Sequence, residues 1–291
     1  MKVKTRADQF GDIDKSRVLY EKRGKVALLT LSDEHLNGYT YRMFRDLDDS
    51  ILEARFDPEV EVILITGDGE HFCAGANINM LEQADPTSKY YFCLHANETL
   101  SRLEQTPKLV IAAINGHCVG GGFEIALACD LRIARDAGGR LGLPEVNLGV
   151  LPGTGGTQRL TRLLGASKAL KLMVDGTTFN TGDALEIGLI HDVVGGTVMK
   201  EIKGKQRVVS DLSRDEFIET ALSYAQNYCT PNKASLAVGH IKRAVQTGGE
   251  LPLEAGLTLE RELQAKLFAS EDAQEGLSAF VEKRKSEFQN R

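Results

Sequence analysis

The chain predicts an α/β core followed by an all-helical C-terminal region, and three observations carry that prediction. Short apolar runs alternate with amphipathic stretches from Val18 to Val194, as a largely parallel sheet covered by helices requires. The runs are punctuated by Gly, Asn and Pro at Arg23-Gly24, Gly67-Asp-Gly69, Pro107 and Asn115-Gly116. From Ser213 to the end, only helical spacing recurs.

Taken in order, residues 18–31 read as two strands around Arg23-Gly24, the second being the alternating VALLTLS. Met43, Leu47, Ile51, Leu52 and Ala54 lie near helical spacing, which predicts an amphipathic helix over Tyr41–Phe56. Val60–Thr66 is a strand stopped by Gly67. A loop of small residues, HFCAGANIN, leads to a helix from Pro86 to Gln105. Leu109–Ile114 is apolar at every position and reads as a buried strand. Gly120-Gly121-Gly122 opens the helical run Phe123–Cys129, and Leu131–Ala134 is again a strand. A Gly/Pro-rich loop over 138–157 precedes further helix and a strand at Ile190–Val194. Ser213-Arg-Asp-Glu216 fits a capping box. Ser270 with Glu271-Asp272 opens the last helix, and Lys283-Arg-Lys285 close it as the helix dipole favours.

These elements divide the chain into an N-terminal extension over 1–15, a core over 16–212 and a helical region over 213–291. Between Val194 and Ser213, TVMKEIKGKQRVVS reads either as a β-hairpin turning at Lys203-Gly204-Lys205 or as a solvated basic loop. Either way it is expected to be a surface feature with no catalytic role.

Bulk chemistry narrows the function classes. With 35 basic and 41 acidic residues the formal net charge is -6, the wrong sign for a nucleic-acid-binding face. Five cysteines (Cys73, Cys93, Cys118, Cys129, Cys229) form no C-x-x-C pair and read as reduced thiols. The six histidines show no H-x-x-x-H spacing, so no metal is expected. The first residues carry mixed charges without an apolar stretch, and Asp8, Asp12 and Asp14 argue against a transit peptide. A soluble cytoplasmic protein with no membrane partner is the expectation.

Three local features could carry chemistry. Gly120-Gly121-Gly122-Phe123-Glu124 joins a strand to a helix. It is either a tight turn with a dipole-favoured Glu, or a place where backbone N–H groups approach a ligand oxygen beside a carboxylate. Cys73-Ala74-Gly75-Ala76-Asn77 could present a second N–H from Ala76, completing an oxyanion hole, or be an ordinary small-residue loop. Leu143-Pro144-Glu145 places a carboxyl after apolar neighbours, which would raise its pKa toward an acid–base value unless it is a solvated loop Glu. The following GVLPGTGGTQRL lacks G-K-[ST], neither glycine cluster completes G-x-G-x-x-G, and there is no G-x-S-x-G. P-loop, dinucleotide and serine-hydrolase readings fall away.

Together, HFCAGANI, IAAINGHCVGGGFEIALACDLRIA, GLPEVNLGVLPGTGGTQRLTRLLG, LEIGLIHDVV and SEDAQEGLSAFVEKRKSEF resemble the crotonase (enoyl-CoA hydratase/isomerase) family, in order, from about residue 16 onward. The resemblance implies a crotonase-like spiral of repeated β-β-α units with a helical C-terminal trimerisation region, assembled as a trimer or hexamer. It implies an acyl-CoA substrate and hydration of a 2-enoyl-CoA, with no cofactor beyond the CoA of the substrate. By position the oxyanion donors fall on Ala76 and Gly121, and the catalytic carboxylates on Glu124 and Glu145. Glu124 is then the base on a shared water and Glu145 the proton donor. Ala74, Asn77, Ile78, Phe280 and Lys283 fall at positions that touch the substrate or its CoA. Where the family often carries Asp and Lys two residues apart, this chain has Asn77 and Asn79, which removes an expected phosphate contact. The rival activities are isomerisation, hydration of a cyclic or branched enoyl-CoA, and a non-catalytic or RNA-binding role.

Overall fold

A computed structural model describes residues 16–34 and 36–291; the extension over 1–15 lies outside the described residues. The chain enters through an antiparallel pair, β1 (Arg17–Arg23) and β2 (Val26–Ser32), followed by α1 (Tyr41–Phe56). Each later turn of chain then lays one strand in each of two sheets. β3 (Val62–Gly67) precedes β4 (His71–Cys73), β5 (Leu109–Ile114) precedes β6 (His117–Val119), and β7 (Leu131–Arg135) precedes β8 (Leu141–Gly142). The larger sheet has the order β1-β2-β3-β5-β7-β10, closed by β10 (Asp192–Val194), with parallel pairing from β2 onward. The smaller sheet runs β4-β6-β8-β9, where β9 (Thr178–Phe179) adds antiparallel to β8. This is the spiral of β-β-α units that the resemblance implied.

Helices fill the connections: α2 (Ile78–Gln83) and α3 (Pro86–Gln105) after β4, and α4 (Gly121–Leu127) after β6. After β8 come a 3-10 turn (Glu145–Leu148), α5 (Gly156–Leu164) and α6 (Ala166–Asp175), and α7 (Thr181–Glu186) joins β9 to β10. Strand burial explains the packing. β1 alternates between exposed and half-buried residues as an edge strand does, whereas β2, β3 and β5 are buried on both faces. The alternating VALLTLS is therefore not one-sided: Val26 and Leu28 join one core layer, and Ala27, Leu29 and Leu31 join the other.

The first of those layers lies beneath α8 (Arg214–Gln226), whose Phe217, Ile218, Ala221, Leu222 and Ala225 pack on the sheet. Its N-terminus is the expected capping box, with Ser213 and Glu216 each bonded to the other's backbone N–H. α9 (Ser235–Gly248) is pinned by a buried ion pair between Lys242 and Asp130 at 2.9 Å. α10 (Leu253–Phe268) and α11 (Glu271–Glu282) complete the chain, with Ser270 capping α11 and Lys283 ending it in the left-handed region. The 195–212 segment is a hairpin, β11 (Thr197–Ile202) and β12 (Lys205–Ser210), turning at Lys203-Gly204 with positive φ at both residues. Among the described residues no helix is long and apolar enough to cross a membrane.

Candidate active site

The site forms where three turns of the spiral meet. Parallel pairing of β4 with β6, and β6 with β8, brings the segments that follow these strands side by side. The loop after β4 is fixed to the segment before α1: Tyr39 N–H donates to Gly75 O at 2.9 Å, and Asn77 N–H donates to Tyr39 O at 3.0 Å. These bonds use the groups flanking Ala76 and turn the Ala76 N–H to the other side. Gly75, at φ +98°, makes the bend; a Cβ there would lie 3.6 Å from the Gly121 nitrogen. Ala76 and Gly121 thus sit on adjoining segments, and neither N–H has an acceptor among the described residues. Gly121 cannot carry a side chain, because its Cβ would fall 2.1 Å from the buried Tyr39 ring.

Glu124 lies in the first turn of α4 and is 1% exposed. The Gly/Pro-rich loop closes over its carboxylate. Thr154 N–H and Gly156 N–H donate to Oε1 at 2.8 and 2.7 Å, and the Thr154 hydroxyl donates to Oε2. Burial raises its pKa, opposed by these donors. Glu145 reaches the same place from the 3-10 turn. The Gly120 N–H donates to Gly142 O at 2.9 Å, and Glu145 Oε1 stands 3.3 Å from where a Gly120 Cβ would be. Its Oε2 is buried with no hydrogen-bond partner among the described residues. Burial, and then the charge of Glu124, push its pKa up to about 7.

The expected site residues divide into two groups. Ala74, Ala76, Asn77 and Ile78 lie on the segment beside Gly121, Glu124 and Glu145. Ile78 is exposed, and Asn77 is occupied as the N-cap of α2, accepting from Asn79 N–H and Met80 N–H. Phe280 and Lys283 lie at the end of α11, where Phe280 is 84% exposed. Hydrogen bonds hold this helix to the C-terminal tail, through Asp272 to Gln289 and Asn290 and through Glu275 to Glu287. Among the described residues none links it to 74–78.

Four further residues belong to the site and were not singled out as functional by the sequence. Thr154 holds Glu124 by two donors. Tyr39 stacks on Phe92 with ring centroids 5.6 Å apart, and burial and Glu124 raise its phenol pKa well above the ordinary value. On α3, Cys93 Sγ lies 3.1 Å from where a Gly153 Cβ would be. The Lys89 ammonium lies 5.2 Å from the Phe92 centroid, and its charge lowers the pKa of both glutamates. The segment TGGTQRL did contain Thr154, but nothing local marks its partner thirty positions upstream.

Residues 21–291 match the enoyl-CoA hydratase/isomerase family. The chain is 36% identical to a short-chain-enoyl-CoA hydratase of Clostridium acetobutylicum, covering 95% of this chain and 99% of the relative. It is 34% identical to a 2,3-dehydroadipyl-CoA hydratase of Escherichia coli, covering 95% and 100%. Among solved structures, an enoyl-CoA hydratase of Geobacillus kaustophilus superposes with a TM-score of 0.84 at 41% identity, covering 95% of this chain and 98% of that one. The chain belongs to the enoyl-CoA hydratase/isomerase family and has its crotonase fold.

Proposed function

We propose that the chain hydrates a 2-enoyl-CoA to a 3-hydroxyacyl-CoA, with Glu124 and Glu145 as the acid–base pair and the N–H groups of Ala76 and Gly121 as the oxyanion hole. The observation that carries the reading is convergence: two carboxyl groups from different spiral turns meet beside two N–H groups that have no acceptor among the described residues. The names of the relatives support it.

In this mechanism the thioester oxygen accepts from Ala76 and Gly121, drawing electrons away from C3. Water held between the carboxyls adds its oxygen at C3 and gives a proton to Glu124. The electrons move through C2 to the thioester oxygen as an enolate, stabilised by the two donors at about 3 kcal/mol each. Glu145 then delivers its proton to C2 and the carbonyl re-forms. A carboxyl with a pKa near 7 is suited to that delivery at neutral pH. An isomerase needs one shuttling carboxylate; two carboxyls at one place favour hydration.

Phe280 and Lys283 are assigned to the CoA site of a neighbouring copy in a homotrimer or hexamer, consistent with their exposure here. Ala74 and Ile78 line the CoA path of their own chain. Binding and turnover test the reading together. Acetoacetyl-CoA at a hundredfold excess over its Kd should stabilise the fold by about 2.7 kcal/mol, while NAD should not. Crotonyl-CoA should lose its conjugated ultraviolet band when the protein is added. An unmoved melting curve or an unchanged band would refute it.

A further inference from the structure

One face of α3 turns a lysine, a thiol and an amide toward the site, which bears on the acyl group; this inference rests on the acyl-CoA reading above. Lys89, Cys93 and Asn97 are spaced four residues apart and share one face of the helix. Cys93 Sγ lies 3.1 Å from where a Gly153 Cβ would be, and Asn97 Oδ1 lies 3.4 Å from the same point on Gly155. Those glycines flank Thr154, which grips Glu124, so this helix face looks onto the loop that covers the carboxylates.

Lys89 stands at the open end of the stripe. It is half-buried and hydrogen-bonded to the Cys93 side chain, and among the described residues it pairs with no carboxylate within salt-bridge distance. Asp85, one turn before it, is occupied as the helix cap by Thr87 and Ser88. The ammonium instead rests near the Phe92 face, and Phe92 stacks on Tyr39, which abuts Gly121. Its field reaches Glu124, Glu145 and the Cys93 thiol. A hydrocarbon tail laid over this wall would strip water from the ammonium and return no partner, which is unfavourable. A tail ending in an anion would give the ammonium the carboxylate counter-ion that the Cys93 thiol does not provide, and the cation would offset the repulsion from the two glutamates.

We propose that the site takes an acyl-CoA whose chain ends in a carboxylate, paired with Lys89. The test uses unreactive saturated thioesters. Calorimetry gives Kd for glutaryl-CoA and adipyl-CoA against valeryl-CoA and hexanoyl-CoA, on wild type, Lys89→Met and Lys89→Arg, with melting curves as a check on folding. Wild type should bind one carboxylate-tipped thioester about tenfold or more tighter than its neutral counterpart, the scale of one charge-assisted hydrogen bond. Lys89→Met should reduce that ratio to near one, and Lys89→Arg should retain most of it. A wild-type ratio near one for both lengths, or a ratio unchanged in Lys89→Met, overturns the proposal. Hydration of crotonyl-CoA by wild type is measured in parallel. Its absence with a Lys89-dependent ratio would sink the hydratase reading and leave the carboxylate site standing; the reverse pattern would do the opposite.

Discussion

Glu145 owes its position near neutrality to two causes acting in one direction: loss of water, and a second carboxylate nearby. A carboxyl whose folded pKa is raised from 4.5 to about 7 favours the protonated native state. Its contribution to stability is full below pH 4.5 and is lost as pH rises through about 7. Glu145→Gln removes that dependence. The melting temperature of the variant minus that of wild type should therefore grow from pH 5 to pH 8, read by scanning fluorimetry in matched buffers. A flat difference would mean that Glu145 is not perturbed. Both glutamates stood out by local context, Gly-Gly-Gly before one and Leu-Pro before the other, but only the family resemblance joined them as a pair. Tyr39, Lys89 and Thr154 did not stand out. Their roles depend on partners far along the chain, and a Tyr before a helix or a Lys in its first turn has an ordinary local explanation.

Among the elements, the long ones could be read directly. α1, α3 and β5 occupy Tyr41–Phe56, Pro86–Gln105 and Leu109–Ile114, the bounds expected from spacing and flanking Pro and Gly. The smaller sheet escaped notice because its strands span only two or three residues, too few for a period of two to show. VALLTLS looked one-sided because Thr30 and Ser32 interrupt it. In the fold it is a central strand, and Thr30 is 8% exposed. The hairpin of β11 and β12 is largely exposed on both faces. Lys200 directly opposes Arg207 there, a pairing that destabilises a hairpin. Its base closes by itself, since Gly196 N–H donates to Asp211 Oδ1 at 2.7 Å and Asp211 N–H to Gly196 O at 2.9 Å. Replacing 197–210 by a short Gly-Ser link should leave crotonyl-CoA turnover within about twofold, as expected of a surface segment without a buried feature. A loss of tenfold or more would assign the hairpin a part in catalysis.

At the scale of the whole molecule, the C-terminal helices present more apolar surface than one chain covers. Ile241, Val245, Leu253, Phe268, Phe280 and Val281 are each at least 60% exposed, while Phe217 and Leu222 on α8 are buried in the core. Exposed apolar side chains in this number suit an interface. Light scattering at micromolar concentration should return a trimer or a hexamer, and a monomer would remove the neighbour to which Phe280 and Lys283 are assigned. The central claim is that one water is worked on by two glutamates, and turnover of crotonyl-CoA by wild type, Glu124→Gln, Glu145→Gln and the double variant tests it most directly. Each single change should lower kcat by about 10²–10⁴-fold. The double change should cost far less than the product of the two, because the residues act as a unit. Near-full hydratase activity in either single variant would contradict the account.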